Sequence, residues 1–216
     1  MRAVALPPLY HGRAGHTARV EQLDGVDVIA CADAAAWEAW LERHHDRTEG
    51  VWLALAKAGS GIASVTSDEV VDVGLCWGWI SGQRRSRDED WYLQKYVPRR
   101  PRSLWSRVNV EKVERLLADG RMRGPGLAEV RAARADGRWD AAYESQRRAT
   151  VPAEVVAALA LDPAAHAAFE ALDRSARYRL YLPVLKARGP DERRARVAAL
   201  ITALGSRSDP TAEGAT

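Results

Sequence analysis

Apolar residues recur along the chain with helical spacing first, then with strand spacing. After Asp33, a good N-cap residue, apolar and aromatic positions follow at i, i+3, i+4 and i+7, which predicts a helix with one buried face. The residues on that face are Trp37, Trp40, Leu41 and His44. The two tryptophans are therefore predicted to lie in the core.

The next two predicted elements are a strand and then a helix. Residues 51–56 form a short apolar run typical of a strand, and glycines at 59 and 61 predict a flexible turn after it. Thr66 and Glu69 then have the spacing of a capping box, which predicts a helix extending to about Leu75.

A β-hairpin is predicted in the middle of the chain. Residues 77–82 and 91–97 are rich in aromatic and β-branched side chains, and the acidic residues 88–90 lie in their connection. Trp77 and Trp79 are two positions apart, so on a strand both point to the same face. They belong together either in the core or in the wall of a binding site.

Two helices are predicted after the hairpin. Ser103 is a good N-cap for a helix that reaches about Asp119, and Gly120 closes it. A second helix starts at residues 124–126 and ends near residues 136–137.

The C-terminal part is predicted to be entirely helical. Pro152 and Pro163 occupy first-turn positions, and Asp162 caps the second of these helices. The last helix has an apolar face formed by Val197, Leu200, Ile201 and Leu204. This pattern predicts a small helical bundle.

These elements predict an α+β fold in which a small mixed or antiparallel sheet packs with helices and is followed by a C-terminal helical module. The chain has no internal repeat. The expected segments are an N-terminal arm (1–30), an α+β domain with a segment rich in Trp and Arg (31–150), a helical module (151–205) and a disordered tail (206–216).

Composition favours a cytoplasmic protein without a membrane span. Its apolar runs are interrupted by charge, and the N-terminus lacks a run of signal-peptide length. Cys31 and Cys76 have no metal or redox spacing, which favours two buried thiols in a reducing compartment. The net charge of +3 comes almost wholly from arginine, so clustering of charge matters more than its total.

The densest cluster is the segment 74–109, which contains four of the eight tryptophans together with seven arginines. Trp and Arg suit binding surfaces because a flat ring and a planar cation recognise anions and aromatic groups. An anion site is expected where arginines and hydroxyls surround the predicted helix start. The predicted ligand-binding residues are Trp79, Arg84, Lys95, Arg99, Arg100, Ser103, Trp105, Ser106 and Asn109.

Signals for catalysis are weak. Residues 78–82 do not match a nucleophile elbow, and residues 59–61 are too short for a Walker-type phosphate loop. His44 and His45 are adjacent on a helix and diverge, so a metal site is not expected. We therefore predict no catalytic residues, no metal and no cofactor, and the pattern favours a non-catalytic protein over an enzyme.

Several blocks, taken in order, resemble the YdeI/OmpD-associated proteins, also described as bacteriocin-protection proteins. They are Trp37-x-x-Trp40-Leu41, Gly50-Val51-Trp52-Leu53, Leu75-Cys76-Trp77-Gly78-Trp79-Ile80, Pro98-Arg99-Arg100-x-x-Ser103-x-Trp105-Ser106-x-x-Asn109, Gly120-Arg121-Met122 and Gly137-Arg138-Trp139. The resemblance extends over roughly residues 33 to 205. The C-terminal helices of the chain, which contain Tyr178, Tyr181, Lys186 and Arg196, resemble the terminal helical module of that family.

The resemblance implies protection from antimicrobial peptides or association with an outer-membrane porin, without a cofactor or a reaction. One position departs from the family pattern, because Ser81 stands where that block usually has an aspartate. This departure favours a non-catalytic role.

Three hypotheses follow for the function. The leading one is a cytoplasmic protein that binds an anionic small molecule or an acidic protein partner and contributes to stress or antimicrobial-peptide tolerance. The second is a nucleic-acid binder whose arginines contact phosphates while its tryptophans stack on bases. The third is an enzyme acting on a phosphorylated or acylated substrate through Asp88, Asp90, Ser103 or Ser106. The oligomeric state stays open.

Overall fold

A computed structural model describes residues 9–10 and 21–205. The disordered tail predicted at 206–216 and most of the predicted N-terminal arm lie outside the described residues. The strands are β1 (Leu9–Tyr10), β2 (Glu21–Leu23), β3 (Val26–Cys31), β4 (Val51–Ala56), β5 (Trp79–Ser86) and β6 (Trp91–Pro98). The helices are α1 (Ala34–His44), α2 (Ser67–Cys76), α3 (Arg107–Ala118), α4 (Gly124–Ala135), α5 (Ala153–Ala160), α6 (Pro163–Glu170), α7 (Arg174–Leu185) and α8 (Pro190–Gly205).

The strands form one mixed sheet in the order β1-β3-β4-β6-β5, with β2 paired to β3. β3 runs parallel to β1 and β4, whereas β2–β3, β4–β6 and β5–β6 are antiparallel. With two helices between its strands and six after them, this mixed sheet confirms the predicted α+β class. β2 and most of β3 fall within the segment expected as an N-terminal arm, and both belong to the sheet.

β4 lies inside the sheet and is buried on both faces, which explains its unbroken apolar sequence. Its Leu53 and Leu55 face one core cluster, which also contains Trp37 of α1 and Val70 of α2. On the opposite face, Trp52 packs in a second cluster with residues of β3 and β6.

The two helices beside the sheet begin where the sequence predicts. The Asp33 carboxylate accepts a hydrogen bond from the backbone N–H of Ala36 at 2.8 Å, as an N-cap residue does. Thr66 and Glu69 form a complete capping box at the start of α2. Both predicted helices are confirmed.

The predicted hairpin is also confirmed, but its first strand begins later than expected. Trp77 is the C-cap residue of α2, and Gly78 has a positive φ of 76°, so the chain turns there and the strand starts at Trp79. The prediction that Trp77 and Trp79 lie on one strand is therefore wrong. A bulge between Ser81 and Arg84 interrupts the pairing with β6.

Ser103 does not begin a helix. α3 starts at Arg107, and the Ser103 hydroxyl instead accepts a hydrogen bond from the backbone N–H of Arg100 at 3.0 Å. The N–H of Ser103 donates in return to the Arg100 carbonyl oxygen at 2.9 Å, and Arg102 between them has a positive φ of 66°. The predicted N-cap is wrong because these bonds close a tight turn.

The chain divides into two compact units: residues up to 103 with 109–141, and residues 104–108 with those from 142 onward. In the second unit, the helices α5 to α8 share one core that includes Leu200 and Leu204, which confirms the predicted apolar face of the last helix. Asp162 caps α6 as predicted. The boundaries expected at residues 30 and 150 stay predictions. None of the helices in the described ranges is long and apolar enough to cross a membrane.

Candidate anion-binding site

Two of the predicted ligand-binding tryptophans are buried in the protein. Trp79 is 1% exposed, and its indole N–H donates to the carbonyl oxygen of His45 at 3.0 Å. The Trp79 ring stands edge-on to the rings of Trp37 and Trp40. Trp105 is 2% exposed. Neither ring has a face open to solvent in this structure. A ligand-binding role for these two indoles stays a prediction.

Arg84 and Lys95 lie on opposite faces of the hairpin. Arg84 pairs with Gln94 across the strands, so Lys95 next to Gln94 points the other way. The Lys95 ammonium lies 5.8 Å from the centre of the Trp52 ring, whereas the Arg84 guanidinium lies 3.7 Å from that of Tyr92. The two cations do not converge on one ligand.

The arginine pair after β6 is divided between interior and surface. Arg99 is 6% exposed, and its backbone N–H donates to the Gly78 carbonyl oxygen at 2.9 Å. Arg100 is exposed beside the turn closed by Ser103. A ligand-binding role for this pair stays a prediction.

Residues 105–107 anchor the chain through backbone hydrogen bonds. The N–H of Tyr143 donates to the Trp105 carbonyl oxygen at 3.1 Å, and the N–H of Arg107 donates to the Tyr143 carbonyl oxygen at 2.8 Å. Ser106, between them, forms an isolated parallel bridge with Tyr143. Asn109 is half-buried in the first turn of α3.

Three of the candidate reactive groups, Asp88, Asp90 and Ser103, lie in two separate turns, and Ser106 forms the bridge with Tyr143. The Asp88 carboxylate accepts hydrogen bonds from the backbone N–H groups of Asp90 and Trp91, at 3.0 and 2.8 Å. The Ser103 hydroxyl is used in its own turn. Within residues 9–10 and 21–205, no group of three or more His, Cys, Asp or Glu side chains could hold a metal ion.

The second unit contains a pocket of about 500 Å³ with a strongly cationic lining. The end of α7, the start of α8 and the connection between them supply most of its wall. The lining residues are Leu104, Arg179, Leu182, Pro183, Lys186, Arg188, Glu192 and Arg196. Four of these eight side chains are positively charged and one is negatively charged, which leaves three positive charges.

Two of the cations have no carboxylate neighbour. Neither Arg179 nor Lys186 forms an ion pair with any residue in the described ranges. Arg179 is exposed, and the Lys186 ammonium lies 4.7 Å from the centre of the Tyr143 ring. A ring face attracts a cation without neutralising it, so both charges stay available to an anion.

The single carboxylate of the pocket belongs to Glu192 and is held by two donors. The backbone N–H of Arg188 donates to it at 3.1 Å, and the guanidinium of Arg196 approaches it at 3.4 Å. These contacts, the Arg188 N–H first, hold the pKa of the Glu192 carboxyl below its usual value. The ionised Glu192 carboxylate therefore offsets part of the positive charge that lines the pocket.

Comparisons with known proteins match two protein families to two separate parts of the chain, and one match includes most of the residues that line this pocket. Residues 148–206 match the family described as Bacteriocin-protection, YdeI or OmpD-Associated. The match covers the helical module, which is less than half of the chain. Residues 29–129 match a separate family, Domain of unknown function (DUF8412). No curated protein and no solved structure matches the chain.

The resemblance expected over roughly residues 33 to 205 is thus confirmed for the YdeI/OmpD-associated module, whereas residues 29–129 match a family of their own. Seven of the eight residues that line the cationic pocket belong to the module, and Leu104 is the eighth. Ser81, the position that departs from the expected block, is exposed on β5.

Sequence reasoning missed this pocket although its spacing was visible. Arg179 and Lys186 are seven positions apart, and Glu192 and Arg196 are four positions apart, so each pair has the spacing of one helix face. Arg188 lies in the connection between the two helices. Taken alone, the arginines of the last helix have the pattern of a solvated face. Cationic residues at helical spacing in two successive helices were the signal from which this pocket could have been predicted.

Proposed function

We propose that the protein is a non-catalytic binding protein and that the pocket of its YdeI/OmpD-associated module holds a small anionic molecule. The observation that carries this proposal is the lining of the pocket, with four cations around one carboxylate. Grouping like charges costs free energy in the empty protein, and a bound anion relieves that cost.

The apolar part of the lining narrows the class of ligand. Leu104, Leu182 and Pro183 line the pocket beside the cations. Its volume of about 500 Å³ is in the range of small-molecule sites, which combine apolar walls with a few placed polar groups. We therefore favour a phosphorylated or carboxylated molecule with an apolar part over a bare inorganic ion.

The cations would have unequal roles in binding. Arg179 and Lys186 have no carboxylate partner in the described ranges, so they would contact the ligand anion directly. The Arg196 guanidinium already contacts the Glu192 carboxylate, so a ligand anion would compete with that carboxylate for it. Arg179 and Lys186 are thus expected to contribute more to affinity than Arg196.

A thermal-shift screen followed by calorimetric titration tests the proposal. The probes are inorganic phosphate, a sugar phosphate, a nucleotide, a short acyl carboxylate and a single-stranded oligonucleotide. A ligand that binds only the folded protein raises its melting temperature. The test variant is Arg179→Ala/Lys186→Ala, and the control Arg131→Ala/Arg147→Ala removes two exposed charges outside the pocket.

We expect a small organic anion to bind the wild type and the control equally, and the pocket variant about tenfold or more weakly. Equal binding to all three proteins would contradict the proposal. Binding of the oligonucleotide alone, with a steep loss of affinity at high salt, would favour the nucleic-acid hypothesis instead.

We also propose a contribution to stress or antimicrobial-peptide tolerance, because the matched family is described by bacteriocin protection. The two buried free cysteines support a reducing, cytoplasmic location. Survival of a deletion strain after exposure to an antimicrobial peptide tests this role. Complementation by the wild type and by Arg131→Ala/Arg147→Ala, but not by Arg179→Ala/Lys186→Ala at equal protein level, is the expected result. Equal rescue by all three proteins would show that tolerance does not depend on Arg179 and Lys186 of the pocket.

A further inference from the structure

A second cation-lined cavity lies in the first unit, beside the turn that joins β5 to β6. Its volume is about 510 Å³. The residues that line it are Lys57, Ala58, Arg84, Arg85, Ser86 and Tyr92. Half of the lining is positively charged, and the lining contains no carboxylate.

Arg84 is stacked on an aromatic ring inside this cavity. Its guanidinium carbon lies 3.7 Å from the centre of the Tyr92 ring, a close cation–π contact. The contact arises from the hairpin register, because Arg84 lies opposite Gln94 and Tyr92 is two positions further along the same face of β6. Arg84 has no carboxylate within ion-pair distance among the described residues, and its outer face is exposed.

Lys57 is fixed at the opposite side of the cavity. Its backbone N–H donates to the Asp90 carbonyl oxygen at 2.7 Å, and its ammonium donates to the Asp88 carbonyl oxygen at 2.6 Å. An ammonium has three N–H donors, so two remain for a ligand. The lysine is thus held in position without losing its charge.

Arg85 adds a third cation, whose charge is partly balanced. Its guanidinium forms an exposed ion pair with Asp24 at 2.7 Å and lies 5.1 Å from the centre of the Trp52 ring. The acidic residues 88–90 lie in the adjacent turn but do not line the cavity. The Arg85 guanidinium thus lies on the opposite face of the hairpin from that of Arg84, and the two cations available to one anion are Arg84 and Lys57.

We infer that this cavity binds a small phosphorylated molecule with a planar aromatic ring, which is the chemistry of a nucleotide. The exposed plane of the Arg84 guanidinium, already supported by Tyr92 beneath it, offers a stacking surface for the ring. Lys57 offers donors for the phosphate, and the Ser86 hydroxyl is a further donor in the lining. The cavity has the volume of a single small ligand.

The test is calorimetric titration with adenosine 5′-monophosphate in the Arg179→Ala/Lys186→Ala background, which removes the two unpaired cations of the other pocket. Adenosine and inorganic phosphate, titrated separately, report the contribution of each half of the ligand. We expect the nucleotide to bind at least about tenfold more tightly than either half, because ring and phosphate contacts are made together.

Variants of Arg84 distinguish stacking from charge. Arg84→Ala should weaken nucleotide binding about tenfold, and Arg84→Lys should weaken it to a similar extent because an ammonium has no planar face. Arg131→Ala removes an exposed arginine outside the cavity and should leave the affinity unchanged. Thermal unfolding of each variant confirms that it is folded.

Three outcomes would overturn the inference. One is nucleotide binding no tighter than phosphate binding. Another is unchanged nucleotide affinity in Arg84→Ala. The third is binding of a single-stranded oligonucleotide without binding of the mononucleotide, which would indicate a nucleic-acid surface rather than a small-molecule site.

Discussion

The guanidinium of Arg87 donates a hydrogen bond to the Glu21 carboxylate at 2.9 Å and joins the end of β5 to β2. In the sheet, β6, β4 and β3 lie between these two strands. Four strand spacings amount to on the order of 19 Å in a flat sheet, which is beyond the reach of the two side chains. The sheet must therefore curl, and the ion pair closes its concave face over the cluster that contains Trp52.

Loss of the Glu21 charge should destabilise this curled sheet. The Arg87 side chain is 9% exposed, so Glu21→Gln would leave a buried guanidinium with only the more distant Asp88 carboxylate, at 3.7 Å. We expect the free energy of unfolding to fall by about 1–3 kcal/mol in urea titration. Asp24→Asn is the control, because its ion pair with Arg85 is exposed and should cost less than about 1 kcal/mol. Equal effects of the two substitutions would contradict this account.

Two glycines of α4 should respond differently to the same substitution. A Cβ on Gly126 would overlap the Cys76 carbonyl oxygen and lie 2.7 Å from that of Leu75, whereas a Cβ on Gly124 would meet nothing within 4 Å. Gly126→Ala should therefore lower the free energy of unfolding by about 1–3 kcal/mol. Gly124→Ala should be neutral or slightly stabilising, by up to about 1 kcal/mol. Thermal or urea unfolding of the two variants measures the difference, and a neutral Gly126→Ala would show that α2 and α4 can move apart.

Local signals explain how much of the fold could be predicted from the sequence. The caps at Asp33 and Thr66 are contacts within three residues, so their side chains determine them almost alone. The hairpin likewise follows from two aromatic strands and a polar turn. The strand order and the curl depend on long-range contacts such as Arg87–Glu21, which no local pattern contains.

The candidate site was harder to predict because Trp and Arg are ambiguous. Trp79 and Trp105 belong to a segment whose composition suits a binding surface, yet both fill the interior, where large rings bury the most apolar area. Ser103 has the chemistry of an N-cap, but its hydroxyl finds a nearer donor in its own turn. The cationic pocket is formed where α7 and α8 pack beside Leu104, and a sequence pattern does not show how two successive helices pack.

The two cysteines should be unreactive in the folded protein. Burial, reinforced by the charge of Asp33, raises the pKa of the Cys31 thiol to about 12, and burial raises that of Cys76 to about 11. Since the thiolate is the reacting species, alkylation by iodoacetamide at about pH 8 should be very slow in the native state and rapid in guanidinium chloride. Mass spectrometry of timed samples measures both rates. Rapid native alkylation of Cys76 would contradict its burial and would reopen a chemical role for that thiol.

Stability should fall with acidification because of His44. Partial burial against Trp40, together with the charges of Arg47 and Arg43, lowers the pKa of His44 below its usual 6.5. The unfolded chain therefore binds a proton that the folded protein resists, so this contribution to stability is present above about pH 6.5 and is lost as the pH falls below it. Urea unfolding between about pH 8 and pH 5 should show a shallower decline for His44→Gln than for the wild type. His166→Gln, at an exposed position of α6, is the matched control and should decline as the wild type does. Identical slopes for all three proteins would exclude His44 as the source of acid sensitivity.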